Sequence, residues 1–489
     1  MSCLLGIDLG TSSVKVVVVS AEANLLGVGN AEYPIHTPSV GYAEQDPMDW
    51  WQSTVRAANQ ALEKAGRPEI SGIGFSGQMH GFVMVDADKI PIYPAVIWAD
   101  QRSASLLPEI EEILGADMIK CGTAPAAGFL VSTLYWIQLH QPALLERAFT
   151  VLMPKDFVRL MLTDQLGSDP SDASATGLFD IQQRNWADEA IARLKLPRSI
   201  FPRLTGSSEV VGQLTRKAAG LLGITAGIPI VTGCSDQPAQ AVGNGLIDPP
   251  RGSVTVGTGG QVFVPLDGPI VDQKLRLHTF CHAPRDRWYL LGAMLSAGMA
   301  LRWLRAILGS ERFSYADLDK LAQEIEPGSE GLTFLPYIVG ERSPIMNPRA
   351  QGSFAGLTLR HGPGHLVRAL LEGIGFALRQ IVECMESCGA ALPGLVASGN
   401  GLGSPLWRQI VADILVRPLY QGKDENSAER AGVGAALIAG IGAGIYRGYK
   451  ETRDLAPRFD LITEPRRVPR YEEGYARFCD LYPRLQSWF

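Results

Sequence analysis

The sequence contains two short segments in which a glycine-threonine turn separates two apolar runs, and their positions constrain the fold more than any other feature. The first, CLLGIDLGTSSVKVVVVSA, covers residues 3–21, and the second, SVTVGTGGQVFVP, covers residues 253–265. Runs rich in β-branched residues on both sides of a glycine-containing turn are typical of a tight β-hairpin. Because the second segment begins about half a chain after the first, the sequence predicts a duplicated plan whose two turns face one ligand from opposite sides.

Two further pairs of segments extend this parallel. GIGFSGQMHG at residues 72–81 and GLVASGNGLGS at residues 394–404 each combine a strand-like run with a glycine-rich loop. Asp236 and Glu429 each begin a candidate helix of small residues, DQPAQAVGNG and ERAGVGAALIAG. Small side chains allow two such helices to pack closely, as at a hinge between domains.

The 489 residues exceed what one hydrophobic core usually organises, so two domains are expected. Apolar residues recur at helical spacing over 48–65 and 363–387, and together with the strand-like runs they predict an α/β fold. GLIDPPRG at residues 245–252 has the prolines and glycines of a boundary. The predicted units are residues 1–248, residues 249–445, and a closing stretch of helices and turns at residues 446–489 that packs back on the body.

Composition excludes several classes of function. A formal net charge of −6 provides no large basic surface for nucleic acid or for an anionic membrane. The apolar run at residues 431–446 is shorter than the roughly 20 residues of a membrane-spanning helix, and the N-terminus does not have the pattern of a secretion signal. Seven scattered cysteines, none in a CxxC pair, predict buried thiols and a reducing cytoplasm.

The first turn places a carboxylate beside hydrogen-bond donors. Asp8 ends an apolar run directly before Gly10, Thr11 and Ser12. A carboxylate can hold Mg²⁺ through the water shell of the ion, and the N–H groups and hydroxyls of such a turn can donate to phosphate oxygens. The alternative is an ordinary hairpin with an aspartate at its end. The second turn has the same donors without a carboxylate, which predicts contact with the outer phosphates of the same nucleotide through Gly257, Thr258 and Gly259.

Asp236 follows a strand-like run at residues 228–231 and begins a helix of small residues. A carboxylate at a helix start can cap the helix by accepting hydrogen bonds from N–H groups. It can also accept the proton of a hydroxyl group that receives a phosphate, because phosphoryl transfer needs a group that orients the nucleophile. The spacing alone leaves both roles open and slightly favours capping.

Two loops carry side chains suited to a hydroxyl-rich ligand. SGQMHG provides an amide, a thioether and an imidazole at Gln78, Met79 and His80, a mixture that can bind hydroxyl groups. A lone histidine is more often structural, although the flanking glycines predict an exposed loop. WADQR adds Asp100 and Arg102, for which the alternative is a surface ion pair of little energetic value.

A third loop, SGNGLGSPLW at residues 398–407, has the form of a loop that accepts an adenosine, but any tight connection from strand to helix has the same pattern.

Taken in order, these segments resemble the FGGY carbohydrate kinases over essentially the whole chain, and most closely the members that act on xylulose. The resemblance also includes EQDPMDWW at residues 44–51, MPKDFVRLMLT at residues 153–163, SDPSDASATGLFD at residues 168–180 and LPYIVGERSPIMNP at residues 335–348.

The resemblance implies an actin-like fold of the ribonuclease H type, with ATP and Mg²⁺ deep in a cleft between two domains. The first domain would carry the sugar side and the first phosphate motif, and the second domain the nucleotide side. It implies that Asp236 accepts the proton, that Asp8 is the metal-associated carboxylate, and that Met79 and His80 contact a ketose. Further residues implied at the sugar are Gln78, Asp100 and Gln237, and those implied at the adenosine are Gly399, Asn400, Gly401 and Ser404.

The activity that the resemblance implies is transfer of the γ-phosphate of ATP to the terminal hydroxyl of D-xylulose. Four residues depart from the family pattern, namely Thr133, Gln237, Asn400 and Leu402. Another sugar or polyol therefore stays open as the substrate, such as gluconate, L-ribulose or L-fuculose. A more remote alternative is an actin-like nucleotide-binding protein without a sugar substrate. A homodimer is compatible with the resemblance.

Overall fold

The computed structural model describes residues 2–423 and 429–489, which form two halves, each built around one seven-stranded sheet. The strands of the first half are β1 (Cys3–Leu9), β2 (Ser13–Ser20), β3 (Leu25–Glu32), β4 (Glu44–Gln45), β5 (Ile70–Gly77), β6 (Val83–Val85), β7 (Ala95–Val96), β8 (Thr150–Leu152), β9 (Phe179–Asp180), β10 (Asn185–Trp186), β11 (Val210–Gln213), β12 (Pro229–Val231) and β13 (Cys234–Ser235). Its helices are α1 (Pro47–Lys64), α2 (Leu107–Leu114), α3 (Asp117–Cys121), α4 (Leu130–His140), α5 (Pro142–Arg147), α6 (Pro154–Thr163), α7 (Pro170–Ser174), α8 (Asp188–Arg193), α9 (Arg216–Leu222) and α10 (Asp236–Gly243).

The second half continues the same alternation of strands and helices. Its strands are β14 (Gly252–Val256), β15 (Gly260–Leu266), β16 (His278–Cys281), β17 (Trp288–Met294), β18 (Thr333–Leu335), β19 (Ser353–Ala355), β20 (Leu395–Ser398), β21 (Leu419–Gly422) and β22 (Phe459–Thr463). Its helices are α11 (Gly298–Leu308), α12 (Tyr315–Gln323), α13 (Pro363–Ser387), α14 (Pro405–Leu415), α15 (Arg430–Gly442), α16 (Tyr449–Asp454) and α17 (Pro469–Leu485).

The first sheet has the strand order β11-β12-β5-β1-β2-β3, and β13 also pairs with β5. Strands β1, β2 and β3 are antiparallel, whereas β5 runs parallel to both β1 and β12, and β11 closes the edge antiparallel to β12. Strand β2 reads SVKVVVVS, and its β-branched valines favour extended backbone. The hairpin predicted at the start of the chain is therefore confirmed.

The second sheet repeats this order. From β17 through β15, β14, β20 and β21 to β22, neighbouring strands are twice antiparallel, twice parallel and once antiparallel. The same sequence of pairings runs from β3 to β11 in the first sheet, and β16 is added outside β17. The second predicted hairpin and the duplicated plan are confirmed, and the turns after β1 and β14 occupy equivalent positions in the two sheets.

Helices α10 and α15 pack against each other. Helix α15 packs on β1, β2 and β5, while Ala241 of α10 joins an apolar cluster with Phe263 of the second sheet. The helices approach so closely that a side chain at Gly434 would collide with the carbonyl oxygen of Ala239. The two small-residue helices predicted from the sequence therefore form the junction between the halves.

The closing segment contains more structure than the sequence predicts. Helices and turns are expected after residue 446, but β22 also pairs with β21 and forms the edge of the second sheet. Helix α17 then packs on the core of the second half through Tyr471 and Phe478. All seven cysteines carry free thiols, and none of the helices that the structure describes is both long and apolar enough to cross a membrane.

Candidate active site

Asp8 is the second-last residue of β1, just before the first turn. The hydroxyl of Ser76 on β5 donates to Oδ1 of Asp8 at 2.8 Å, and Lys15 on β2 lies opposite Asp8 in the hairpin. Burial raises the pKa of Asp8, and the Ser76 hydroxyl and Lys15 offset part of this rise. Within residues 2–423 and 429–489, no group of three or more acidic, histidine or cysteine side chains could hold a metal ion. Ser76 bonds only one oxygen of Asp8, and a single carboxylate acting through the water shell is an arrangement that Mg²⁺ commonly adopts, so a role of Asp8 at a metal ion stays a prediction.

Asp236 lies at the same end of the strands of the first sheet as Asp8, on the other side of β5. Ser235 pairs with Gly77 of β5, and Asp8 pairs with the neighbouring Ser76. The two aspartates thus lie at the ends of β1 and β13, which flank β5, and the usual spacing of strands places their backbones about 10 Å apart. The sheet topology therefore brings together two carboxylates that are 228 positions apart in the sequence.

The surroundings of Asp236 suit a base better than a cap. The N-cap residue of α10 is Ser235, and Asp236 is the first residue within the helix, where its carboxylate accepts the backbone N–H of Gln237. Burial, together with the nearby Asp8 carboxylate, raises the pKa of Asp236 to about 7, although N–H groups of Gln237 lower it. Its Oδ1 is buried and has no hydrogen-bond partner among the described residues. A carboxylate that titrates near neutral pH with one unpaired oxygen can accept a proton from a hydroxyl.

Both glycine-threonine turns leave backbone donors available. The N–H of Gly10 donates to the carbonyl of Ser13 at 3.0 Å, and the N–H of Gly257 donates to the carbonyl of Gly259 at 2.9 Å. The N–H of the first glycine therefore closes each turn, and contact of Gly10 and Gly257 with a nucleotide stays a prediction. Across the described chain, no hydrogen bond occupies the N–H groups of the residues that follow, namely Thr11, Ser12, Thr258 and Gly259. Consecutive unpaired N–H groups form an anion-binding concavity.

Side chains from three neighbouring segments hold the first turn. Trp98 Nε1 donates to Thr11 Oγ1 at 2.9 Å, and Gln45 Nε2 donates to the Thr11 carbonyl at 2.7 Å. The hydroxyl of Tyr33 donates to the carbonyl of Gly10 at 2.5 Å. Because an indole N–H can only donate, the hydroxyl of Thr11 keeps its own proton for another acceptor.

The start of α11 holds the second turn. The N–H groups of Ala297 and Met299 donate to the Thr258 carbonyl at 2.9 and 3.0 Å, and the N–H of Gly298 donates to the Gly257 carbonyl at 2.9 Å. These bonds occupy the carbonyl oxygens of the turn. Its N–H side remains for an anion.

The loop after β5 is buried, whereas its glycines predict an exposed loop. Gln78, Met79 and His80 are 2%, 5% and 8% exposed. Gln78 Nε2 donates to Gln45 Oε1 at 3.1 Å, but Gln78 Oε1 is buried and accepts no hydrogen bond from any described residue. The sulfur of Met79 lies 3.9 Å from the hydroxyl of Tyr289 in the second half. The loop therefore lies where the two halves meet.

His80 is a neutral hydrogen-bond acceptor in this loop. Its ring stacks on Phe129 with 3.9 Å between the ring centroids. Its Nδ1 lies 2.8 Å from the carbonyl of Ala175; because a carbonyl only accepts, we assign the proton to Nδ1 and a lone pair to Nε2. Burial, together with the charge of Arg342, lowers the pKa of His80 to about 3. The ring is therefore uncharged at neutral pH.

Asp100 and Arg102 form a buried pair, so the surface-pair alternative is wrong. Both side chains are fully buried, and two nitrogens of Arg102 donate to the two carboxylate oxygens of Asp100, each at 2.8 Å. Arg102 also donates to Glu44 at 2.6 Å, and the ring of Tyr42 covers its guanidinium at 3.9 Å. Asp100 further accepts the N–H of Ala43 at 2.7 Å. Its oxygens are thus engaged within the protein, and contact of Asp100 with a sugar stays a prediction.

A cavity of about 640 Å³ lies between α10 and the strand ends of the second sheet. Three of the predicted site residues line it, namely Gln237, Gly399 and Asn400. Gly401 and Ser404 lie outside the lining, and Ser404 instead caps α14 by accepting the N–H of Trp407 at 3.1 Å. The volume lies in the usual range for a small-molecule site. A role of this loop at an adenosine stays a prediction.

Comparison with known proteins identifies the family. The model of the FGGY family of carbohydrate kinases, N-terminal domain, matches residues 3–243, and the model of the C-terminal domain matches residues 252–443. The chain belongs to the FGGY family of carbohydrate kinases. It is 34% identical to the xylulose kinase of Escherichia coli K12 over 98% of the chain and 99% of that protein.

Other relatives support the same assignment. This FGGY kinase is 30% identical to the gluconokinase of Bacillus subtilis 168 over 93% of the chain and 90% of that protein. The crystal structure of ligand-bound xylulose kinase from Lactobacillus acidophilus matches it with a TM-score of 0.93 at 25% identity, over 99% of both chains. The predicted two-domain, actin-like α/β fold is confirmed.

Two further side chains of this FGGY kinase lie near residues 78–80, called the sugar loop because sugar contact is predicted there, and the sequence did not single them out. The Arg342 guanidinium lies 5.7 Å from the centroid of the Phe129 ring, on which His80 stacks. It has no ion pair or hydrogen bond in the part of the chain that the structure describes. His278 Nδ1 lies 2.8 Å from the hydroxyl of Thr123, while its buried Nε2 has no described partner. Arg342 belongs to a segment that carries the family resemblance, whereas no motif surrounds His278.

Proposed function

We propose that this FGGY kinase transfers the γ-phosphate of ATP to the terminal hydroxyl of D-xylulose, which gives D-xylulose 5-phosphate and ADP. The observation that carries the proposal is the Asp236 carboxylate, which is buried beside Asp8, has its pKa raised to about 7, and shares a sheet edge with the first turn and the sugar loop. The cytoplasm is the proposed location, because its reducing conditions suit seven cysteines without a disulfide.

In the proposed reaction, Asp236 accepts the proton of the terminal hydroxyl. The hydroxyl oxygen forms a bond to the γ-phosphorus, and the bond from phosphorus to the bridging oxygen breaks and releases ADP. The unpaired N–H groups of the two turns donate to phosphate oxygens and stabilise the charge that develops there. Positioning and charge stabilisation supply most of the rate, and Asp236 orients the nucleophile and takes up its proton.

Asp8 is the residue that would hold Mg²⁺. Ser76 occupies only Oδ1 of its carboxylate, so Oδ2 remains for a water molecule of the ion. When bound, the ion neutralises charge on the phosphate oxygens. In this assignment Asp8 is the one carboxylate that holds the ion. The neighbouring carboxylate, Asp236, serves as the proton acceptor.

The sugar loop offers acceptors that suit an uncharged, hydroxyl-rich substrate. His80 Nε2 carries a lone pair, and Gln78 Oε1 is a buried acceptor without a described partner. Sugar hydroxyls can donate to both atoms. A neutral imidazole and an amide can form hydrogen bonds with hydroxyl groups, and the substrate needs no charge for this. Several relatives over nearly the full length are xylulose kinases, which supports D-xylulose as that substrate.

One observation favours gluconate as a second candidate. Arg342 is a cation near the sugar loop without an ion-pair partner in the described chain. A guanidinium can bind a carboxylate through two parallel hydrogen bonds. Gluconate carries a carboxylate, which D-xylulose does not.

The test is a coupled assay of ADP release with D-xylulose, gluconate, L-ribulose, L-fuculose or no sugar. We expect kcat/KM for D-xylulose to exceed that for each other compound by at least about 100-fold, a discrimination that buried hydrogen-bonding groups can supply. Asp236→Asn, purified in parallel, should release no ADP above the rate without sugar, because an amide cannot accept the proton. This variant also controls for contaminating kinases.

The outcomes separate the candidates. A preference for gluconate would replace D-xylulose by the second candidate. ADP release that no sugar stimulates would contradict a sugar kinase and favour an actin-like nucleotide-binding protein. Full activity of Asp236→Asn would overturn the role of Asp236.

A further inference from the structure

The residue before Asp236 is held by a side chain from another helix. The backbone N–H of Ser235 donates to Oγ of Ser171, on α7, at 3.0 Å. Both residues are fully buried. Ser235 belongs to the two-residue strand β13, which pairs with β5 and ends directly before Asp236. The Ser171 hydroxyl and the pairing with β5 therefore both hold the backbone where it enters α10.

The hydroxyl of Ser171 has a fixed orientation. It donates its proton to Oδ2 of Asp169 at 2.7 Å. Because a hydroxyl has one proton, its lone pairs are what remains for the N–H of Ser235. The carboxylate of Asp169 also accepts the backbone N–H groups of Ser171 and Asp172 at 3.0 and 3.4 Å, and so caps α7. The position of the Ser171 oxygen is thus set from two sides.

Asp169 is itself part of a buried ion cluster. Lys155 Nζ lies 3.0 Å from Asp169, 2.7 Å from Asp156 and 3.2 Å from Asp172, and Arg159 lies 3.3 Å from Asp156. All five side chains are fully buried. Burial raises the pKa of Asp172, and the charge of Lys155 offsets part of this rise. Four ion pairs among two basic and three acidic side chains connect α6 to the start of α7 in this cluster.

The same short helix contacts the other parts of the site. Ser174 Oγ accepts the N–H of Cys281 in the second half at 3.0 Å. The carbonyl of Ala175, directly after α7, accepts the proton of His80 Nδ1 at 2.8 Å. Helix α7 therefore holds the histidine of the sugar loop, a strand of the second half and the backbone at Asp236.

We propose that Ser171 is a positioning residue, which connects the backbone at Asp236 to the buried ion cluster by its hydrogen bonds to the N–H of Ser235 and the carboxylate of Asp169. The inference rests on the proposed function, in which Asp236 accepts the proton. Ser171 does not touch the reacting atoms. Its loss should leave nucleotide and sugar binding in place but lower the rate of the chemical step, since a small displacement of a catalytic group is costly.

The test compares Ser171→Ala with Ser207→Ala. Ser207 Oγ donates to the same oxygen of Asp169 at 2.8 Å and is also buried, but its hydroxyl has no bond to Ser235 in the described chain. Both variants remove one hydroxyl from the same carboxylate. Measured quantities are the thermal unfolding temperature, kcat, and KM for ATP and for the sugar. Ser171→Thr, which keeps the hydroxyl, is the variant that should rescue the rate.

We expect Ser171→Ala to lower kcat about 30-fold while both KM values stay within about threefold. Ser207→Ala should lower the unfolding temperature by a similar amount but change kcat less than about threefold. Ser171→Thr should keep kcat within about threefold of the unmodified enzyme. Full-length enzyme is used throughout.

Equal kcat values for folded Ser171→Ala and Ser207→Ala would overturn the inference, and so would a loss that appears only in KM. If Ser171→Ala does not fold, Ser171→Thr decides alone. A kcat of Ser171→Thr at or below about one tenth of the unmodified value would then overturn the inference, provided that the variant unfolds at the unmodified temperature. Asp236→Asn separates the role of Ser171 from that of Asp236. An active Asp236→Asn overturns the proposed role of Asp236, on which the inference rests, whereas an inactive one with unaffected Ser171→Ala refutes only the role of Ser171.

Discussion

The turns after β1 and β14 share one backbone design but differ in the charges around them. In each turn the first glycine closes the turn through its own N–H, and the next two N–H groups have no partner in the described chain. The first turn follows Asp8, faces Lys15 across the hairpin and shares its sheet edge with Asp236. The second turn, residues 257–259, is bordered by the start of α11 and contains no carboxylate.

This difference separates two tasks that a phosphotransferase must perform. Both turns can bind an anion, because that requires only N–H groups. The carboxylates that can hold a metal ion and accept a proton stand on the side of the first turn. Changes on the first side should therefore lower kcat, and changes in the second turn should mainly weaken nucleotide binding.

The largest effect is expected from Asp8→Asn on the first side. The amide keeps the size of the side chain but loses the negative charge, so we expect kcat to fall about 100-fold, equivalent to roughly 2.7 kcal/mol. The Mg²⁺ concentration for half-maximal rate should rise. ADP release over a Mg²⁺ titration measures both quantities, and Asp88→Asn, at an exposed position, controls for the loss of one charge. An unchanged Mg²⁺ requirement would count against the role of Asp8.

A smaller effect is expected in the second turn, where two neighbouring glycines form a matched pair. A Cβ atom at Gly259 would lie 2.6 Å from the carbonyl oxygen of Met294, whereas one at Gly257 would lie 3.8 Å from its nearest neighbour. Gly259→Ala must therefore displace the turn, and KM for ATP should rise about tenfold with little change in kcat. Gly257→Ala should change KM less than about twofold. Steady-state kinetics decide; equal effects of the two substitutions would contradict a phosphate contact at this turn.

The smallest effect is a shift of the pH profile. Asp236 faces Asp8 from β1, Tyr289 from β17 and Cys234 from β13, and its pKa is raised to about 7. As the pH falls below 7 the carboxylate takes up a proton and cannot accept another, so kcat/KM should fall with decreasing pH. Asp8→Asn removes the neighbouring charge and should move this limb to lower pH. Profiles of kcat/KM between about pH 5 and pH 9 test this, and an identical limb in both enzymes would argue against coupling of the two carboxylates.

Local periodicity predicted the long elements well. The amphipathic pattern at 363–387 coincides with α13, and the pattern at 48–65 differs from α1 by one residue at each end. Both signals lie within one segment, so no distant partner is needed to read them. Strand β22 was missed because it is short and takes its place only through pairing with β21, about 40 residues earlier in the chain.

The burial of the site residues could not be predicted from local sequence patterns. Arg102 is covered by Tyr42 and Trp136, which lie far from it in the sequence, so the buried state of its pair with Asp100 has no local signal. His80 is likewise buried by Phe129 despite its flanking glycines. Burial depends on what packs over a residue in three dimensions, and this also hid Arg342 and the part that Ser171 plays beside Asp236.

The seam between α10 and α15 has a mechanical consequence. The backbones of the two helices are in direct contact there, as at Gly434 of α15 against the carbonyl of Ala239 of α10. Across this seam Arg430 Nη1 also donates to the carbonyl of Gly243 at 3.1 Å, and packed helices can slide past each other in small shear movements. We therefore expect the ligands bound between the two halves to govern the rotation of one half relative to the other. Larger side chains introduced at this seam should hold the enzyme in one conformation without contacting any reacting group.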